Sequence, residues 1–204
     1  MQWYSKSLEI DLKKLKADHP NIALTYNSIG IVYSKKDDHV RALDSYEKAL
    51  KIFENNSIHD DPRVADCLNN IAGVYYHEKN YTKALEYQQK VLDIRKRLFP
   101  ADHPQIGSSY NNIANIERCL GQYDQALNNY ELSLEIKSKS LPSEHPDIAM
   151  THENMGLVYE DMGNYEQARI QFEKSAEIYK QTLSSEHLNV INISQCLTRI
   201  ISKQ

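Results

Sequence analysis

The chain is poor in the residues that interrupt regular structure. Of its 204 residues six are glycine and six are proline, which excludes a collagenous chain and a flexible low-complexity one. Cysteine is just as scarce. Cys67, Cys119 and Cys196 are an odd number at unrelated spacings, with no CxxC pair; neither a disulfide framework nor a zinc site is expected, and a reducing compartment suits them. Positive charge is also in short supply: 24 basic against 28 acidic side chains give a net charge of -4, no field to hold nucleic acid by its phosphates. Apolar runs are only a few residues long, and Lys6 and Glu9 stand where a signal peptide needs an unbroken apolar core. Neither a membrane span nor a leader is expected. The remaining balance, 25% charged and 41% apolar, is ordinary for a soluble globular protein, and with the cysteine and charge readings a cytoplasmic protein with no nucleic-acid or membrane partner is expected.

Catalytic signatures are missing as well. There is no G-x-x-x-x-G-K, no G-x-G-x-x-G and no G-x-S-x-G, hence no phosphate loop, dinucleotide turn or nucleophile elbow. His152-Glu153 opens like a zinc-binding HExxH helix, but Gly156 stands where the second imidazole is needed. His19, His103, His145 and His187 recur every 42 residues, too far apart to share an ion, and read as caps and loop-packing residues. No catalytic residue, metal or cofactor is expected.

What the chain does have is a period. Pro20, Pro62, Pro104 and Pro146 are each 42 residues apart, and Pro100 and Pro142 form a second pair at the same spacing. On that period Ile10, Ile52, Ile94, Ile136 and Ile178 share one column, and Ala42, Ala84, Ala126 and Ala168 another. Ile29, Ile71, Ile113 and Met155 form a third, with the small residues Gly30, Ala72, Ala114 and Gly156 next to it. A fixed period of this size marks a stacked repeat. The expected divisions are a leading half repeat 1–16, repeats at 17–58, 59–100, 101–142 and 143–184, and a trailing 185–204. That last piece reads as a capping helix or the first helix of a truncated repeat.

Within a repeat, apolar positions such as Tyr110, Ile113 and Ala114 recur at spacings of three and four, the period of an amphipathic helix. Two helices per repeat are expected. The first opens at the proline, whose fixed φ and missing N–H suit a first helical position, behind Asp18-His19, Asp60-Asp61, Asp102-His103 and Glu144-His145 as caps. It stops at a polar turn, which carries glycine in two of four cases, Gly121 and Gly163. Neither helix buries its stripe alone, so the repeats must stack. The expected fold class is all-α, a right-handed superhelical solenoid of antiparallel helix pairs whose neighbours pack through Gly30, Ala72, Ala114 and Gly156. Most of the 14 tyrosines fall in packing columns and read as core.

Tyr26-x2-Ile29-Gly30-x2-Tyr33, followed by Ala42, Tyr46 and Ala49, resembles the tetratricopeptide pattern W-x2-L-G-x2-Y…A-x3-F. Met155, Gly156, Tyr159, Ala168 and Phe172 restate it; so do Leu68, Ile71, Ala72, Tyr75 and Ala84. The third repeat departs at Glu117, where tyrosine is wanted, and looser packing is expected there. The 42-residue length, the His-Pro openings, Leu68-Asn69-Asn70-Ile71-Ala72, Tyr110-Asn111-Asn112-Ile113-Ala114 and Gly121-Gln122-Tyr123-Asp124-Gln125-Ala126-Leu127 resemble the kinesin light chain type. Nephrocystin-like arrays are similar. The resemblance implies a cytoplasmic, cytoskeleton-associated adaptor that binds cargo peptides. Association with a motor heavy chain stays open, since no a/d heptad stretch is visible.

In that family the first helices line a concave wall. The places that would face a ligand here hold Asn27, Asn69, Asn111 and Glu153, then Ser28, Asn70, Asn112 and Asn154, with Ile31, Asn115 and Leu157 further along. A carboxamide both donates and accepts, so such a ladder can pair with the main chain of an extended peptide. Asp66, Glu117, Glu153, Glu160 and Asp161 lead to the further expectation of an acidic wall that favours a basic ligand end. The alternative is a structural or regulatory spacer array within a larger multidomain protein, with or without an enzyme domain.

Overall fold

The computed structural model describes residues 15, 16 and 18–203. The leading half repeat, 1–16, lies almost wholly outside them, and so does Trp3. The described residues form nine helices and no strand. They divide into two compact halves, Met1–Phe99 and Pro100–Gln204. The first holds α1 (Pro20–Ser34), α2 (His39–Asn55), α3 (Pro62–His77) and α4 (Tyr81–Leu98). The second holds α5 (Pro104–Cys119), α6 (Tyr123–Ser140), α7 (Pro146–Asp161), α8 (Tyr165–Thr182) and α9 (Leu188–Ile201). In each half a helix packs along its successor, α1 on α2 and α3 on α4, then α5 on α6 and α7 on α8, as all-α antiparallel pairs. Second helices pack on the next first helix: α2 on α3, α6 on α7 and α8 on α9.

The helix starts keep the period because the local chemistry repeats. His19, His103, His145 and His187 cap α1, α5, α7 and α9: each Nδ1 accepts the backbone N–H two residues on, at 3.2, 3.3, 3.1 and 3.2 Å. Asp61 does the same for α3, accepting from Arg63 N–H at 2.8 Å. The histidines read as caps are therefore caps. At each turn within a pair one residue is left-handed, Asp37 (φ 57°), Lys79 (59°), Gly121 (74°) and Gly163 (76°). The next N–H, from Asp38, Asn80, Gln122 or Asn164, then reaches back to the carbonyl of Tyr33, Tyr75, Glu117 or Tyr159. This is a Schellman closure. Two turns achieve it without glycine.

The first half buries Ile22, Ala23, Ala42, Tyr46, Phe53, Val64, Ile71 and Val91 in one core. In the second half Ala114, Ala126, Tyr130, Met155 and Val158 form one cluster, and Ala168, Phe172, Tyr179, Ile193 and Ile200 belong to another. At Gly30 and Gly156 the small-residue column serves contacts inside a pair, where the expectation was that it joins neighbouring repeats. A Cβ on Gly30 would run into the Tyr46 ring of α2, and one on Gly156 into the Phe172 ring of α8. Glu117 does not loosen its surroundings as expected either. It is buried and accepts from Asn129 Nδ2 at 2.7 Å, and burial pushes its carboxyl above the usual carboxylate range. No helix among the described residues is long and apolar enough to cross a membrane.

Candidate functional site

Each half presents its own face of first helices, α1 and α3 in one, α5, α7 and α9 in the other. Residues 27 and 28, then 31, lie one helical turn apart and share a face. The same holds for 69, 70 and 73, for 111, 112 and 115, and for 153, 154 and 157. Carboxamides link the first helices directly. Asn70 Nδ2 donates to Asn27 Oδ1 at 3.1 Å, and Asn154 Nδ2 donates to Asn111 Oδ1 at 3.4 Å. The two bonds repeat the same geometry one repeat pair on.

The face is also tied to the second helices behind it. Gln88 Nε2 donates to Asn69 Oδ1 at 2.9 Å, Tyr130 Oη to Asn115 Oδ1 at 2.6 Å, and Tyr179 Oη to Glu153 Oε2 at 3.1 Å. Ser28 Oγ turns back to the Leu24 carbonyl at 3.0 Å. Burial pushes the Glu153 carboxyl up, and the Tyr179 hydroxyl partly offsets this. Asn27, Ser28, Ile31, Asn69, Asn70, Asn112, Asn115, Glu153, Asn154 and Leu157 are all half-buried, with part of each side chain reaching solvent. Asn111 differs from the ladder expectation: at 3% exposure it lies in the interior. Its carboxamide faces Asn154 instead of a ligand.

Three of the five acids expected to make the wall negative, Asp66, Glu160 and Asp161, have a cationic partner within the chain. Arg199 makes a two-pronged contact with Glu160 at 2.6 and 2.7 Å, and Lys203 Nζ adds a third at 3.0 Å. Arg118 Nε donates to Asp161 Oδ2 at 2.6 Å, and Arg95 stands 3.6 Å from Asp66. The Arg199 guanidinium holds the Glu160 carboxyl below its usual range. The pairs of Glu160 and Asp161 join residues 39 to 43 apart, roughly one repeat, so a 42-residue spacing was the signal by which those could have been found. Two apolar side chains of the same face, Leu24 at 38% and Met150 at 39%, are exposed in the column one turn before the carboxamides. His152, which opened the incomplete zinc pattern, contacts Gln171 Oε1 through Nδ1 at 2.8 Å. Among the described residues no three His, Cys, Asp or Glu side chains come together as a metal site.

Antiparallel helix pairs stacked through a 42-residue period, with a row of fixed polar side chains on the first helices, define a helical-repeat protein of the kind that binds other proteins. Its family follows from the sequence itself. The tetratricopeptide repeat profile matches residues 2–55, 63–139 and 147–197, and the chain belongs to that family. No curated protein matches it in sequence. Among solved structures it is similar to BtubC (BKLC) from P. vanneervenii, at 23% identity and a TM-score of 0.78 over 87% of this chain and 71% of that one. The kinesin light chain-like repeats of Podosopora anserina match at 22% identity and a TM-score of 0.75, over 91% and 88% of the two chains. The apo form of RapI matches at 22% and 0.76, over 89% of this chain and 64% of that one. At these identities the likeness is one of fold.

Proposed function

We propose that this protein is a non-catalytic, cytoplasmic adaptor that holds an extended peptide segment of a partner protein on its first-helix faces, divided into repeats at 17–58, 59–100, 101–142 and 143–184. The observation that carries the reading is the pairing of fixed carboxamides with exposed apolar anchors, Asn27–Asn70 beside Leu24 and Asn154 beside Met150. One bond uses only part of a carboxamide's two donors and two acceptor lone pairs. The rest can pair with a peptide main chain without selecting its side chains. Pre-fixing those amides lowers the ordering cost of binding. The resemblance of the repeats to the kinesin light chain type is what suggests the adaptor role and the cytoskeletal association.

A second reading is favoured by the same bonds, since a ladder that serves its own helices suits a structural or regulatory spacer in a larger protein. The two separate in one experiment. Changing Asn70 and Asn112 together to Ala removes two main-chain contacts, and a loss of about 1 to 3 kcal/mol in peptide affinity is expected by fluorescence polarisation against a random peptide pool. The spacer reading gains if the double variant binds every selected peptide as the parent does.

A further inference from the structure

Five of the six glycines have a reason inside the chain. Gly30 and Gly156 make room for the Tyr46 and Phe172 rings, Gly107 lies where a Cβ would come within 3.3 Å of the Ser133 carbonyl, and Gly121 and Gly163 are left-handed. Gly73 has no such reason. It sits inside α3, and a Cβ there would meet nothing within 4 Å. Glycine in a helix interior destabilises relative to alanine, so here the chain bears that cost without any contact of its own that requires it.

The surroundings of Gly73 are built. Asn69 and Asn70 lie one turn before it, each fixed by a carboxamide partner. One turn after it come Tyr76 and His77. The Tyr76 ring meets Tyr81 edge-on at 5.5 Å and His77 at 6.1 Å, and His77 stacks on His39 at 6.4 Å. Ile31 holds the same column on α1 and packs against the first-half core. Asp66, the nearest acid on this face, is within 3.6 Å of Arg95. Two fixed carboxamides and two stacked or edge-on rings thus flank an open floor.

Resting on the peptide-binding reading of this face, we propose that Gly73 is the floor of a side-chain subsite that receives one bulky apolar or aromatic residue of the bound peptide, while Asn69 and Asn70 hold the adjoining main chain. Aromatic rings favour an aromatic or aliphatic guest in offset or edge contact. A residue that fills the floor competes with that guest directly.

The test uses the full chain, with Gly73→Leu to fill the floor and Gly73→Ala as a variant that meets no neighbour. The probe is a display library of random decapeptides, with selected peptides labelled by fluorescein. Parent-selected peptides should share one Trp, Phe, Tyr, Leu or Met position. Gly73→Leu should weaken them at least tenfold and Gly73→Ala less, with melting midpoints at or above the parent's. Alanine at the shared peptide position should abolish the difference between parent and variant. Equal affinity of parent and both variants for the selected peptides overturns the subsite. If Gly73→Leu does not fold, Gly73→Ala alone decides, by weakened or unchanged affinity. Loss of binding in the Asn70/Asn112 double variant without loss in either Gly73 variant leaves the face reading standing and removes only the subsite. A parent that selects no peptide removes both.

Discussion

Lys137 is the residue at which burial and charge conflict most openly. It stands on α6 at 1% exposure, with Nζ donating to Thr151 Oγ1 at 2.9 Å and to the Asp147 carbonyl at 3.2 Å on α7. Neither bond supplies a full counter-charge, and burial pushes its pKa down from 10.5 to about 8, against a smaller opposing pull from Asp147. The folded chain therefore sheds this proton more readily than the unfolded one. Below about pH 8 the fold bears the cost of a buried cation; as pH climbs toward 10.5 that cost is relieved and stability from this group rises. Cys67 and Tyr46, both buried with pKa values pushed up to about 12, act in the opposite sense at high pH. Comparison with Lys137→Met cancels them, since both chains share them. At pH 7 the Met variant is expected to be more stable by on the order of 1 to 3 kcal/mol. That advantage should shrink by up to roughly 3 kcal/mol by pH 10.5, read from urea midpoints across the range. A pH-independent difference would place the ammonium in water.

At the scale of elements, the pairs are set by how closely two helix axes approach, and the ring facing each small residue fixes that distance. Gly156 lies against Phe172 and Gly30 against Tyr46, both rings buried and without room to turn aside. Ala114 and Tyr130, both fully buried, pack in the same cluster in the third repeat. Gly156→Ala is expected to cost about 1 to 3 kcal/mol, and Ala114→Phe at least as much, as a fall in the melting midpoint. An unchanged midpoint for either would contradict the close approach. These elements were legible in the sequence because each rests on a local rule: proline at the first helical position, a capping side chain before it, apolar residues three and four apart. Which partner the small column faces was not legible. A period shows that Gly30 and Gly156 are equivalent, but both faces of a first helix meet second helices, one before it and one after. Only the direction of the Tyr46 and Phe172 rings decides between them.

For the molecule as a whole, the sequence shows a slightly acidic chain, and residues 66, 117, 153, 160 and 161 look like a negative wall. The carboxylates were legible, and the period marks Arg199, Lys203 and Arg118, 39 to 43 residues away in the chain, as candidate partners of Glu160 and Asp161; that the side chains meet was not legible, because it depends on how far each reaches across to the neighbouring repeat. Asn111 illustrates the same limit, since its column is clear from the period while its burial depends on how closely α5 and α7 approach. The consequence for binding is a face with little free charge. Glu160 and Asp161 are ion-paired, and Glu153 and Glu117 are desolvated and hydrogen-bonded to Tyr179 and Asn129. Charge should then contribute little to peptide choice, and the ion pairs that are already made have little to gain from a basic ligand. A selected peptide extended by a C-terminal lysine should bind within about threefold of its neutral parent, and both should change less than about threefold between 0.05 and 0.5 M salt. Glu153→Gln should leave those affinities within the same range. A steep loss of affinity with salt, confined to the lysine-extended peptide and removed by Glu153→Gln, would show that the face carries an open negative site after all.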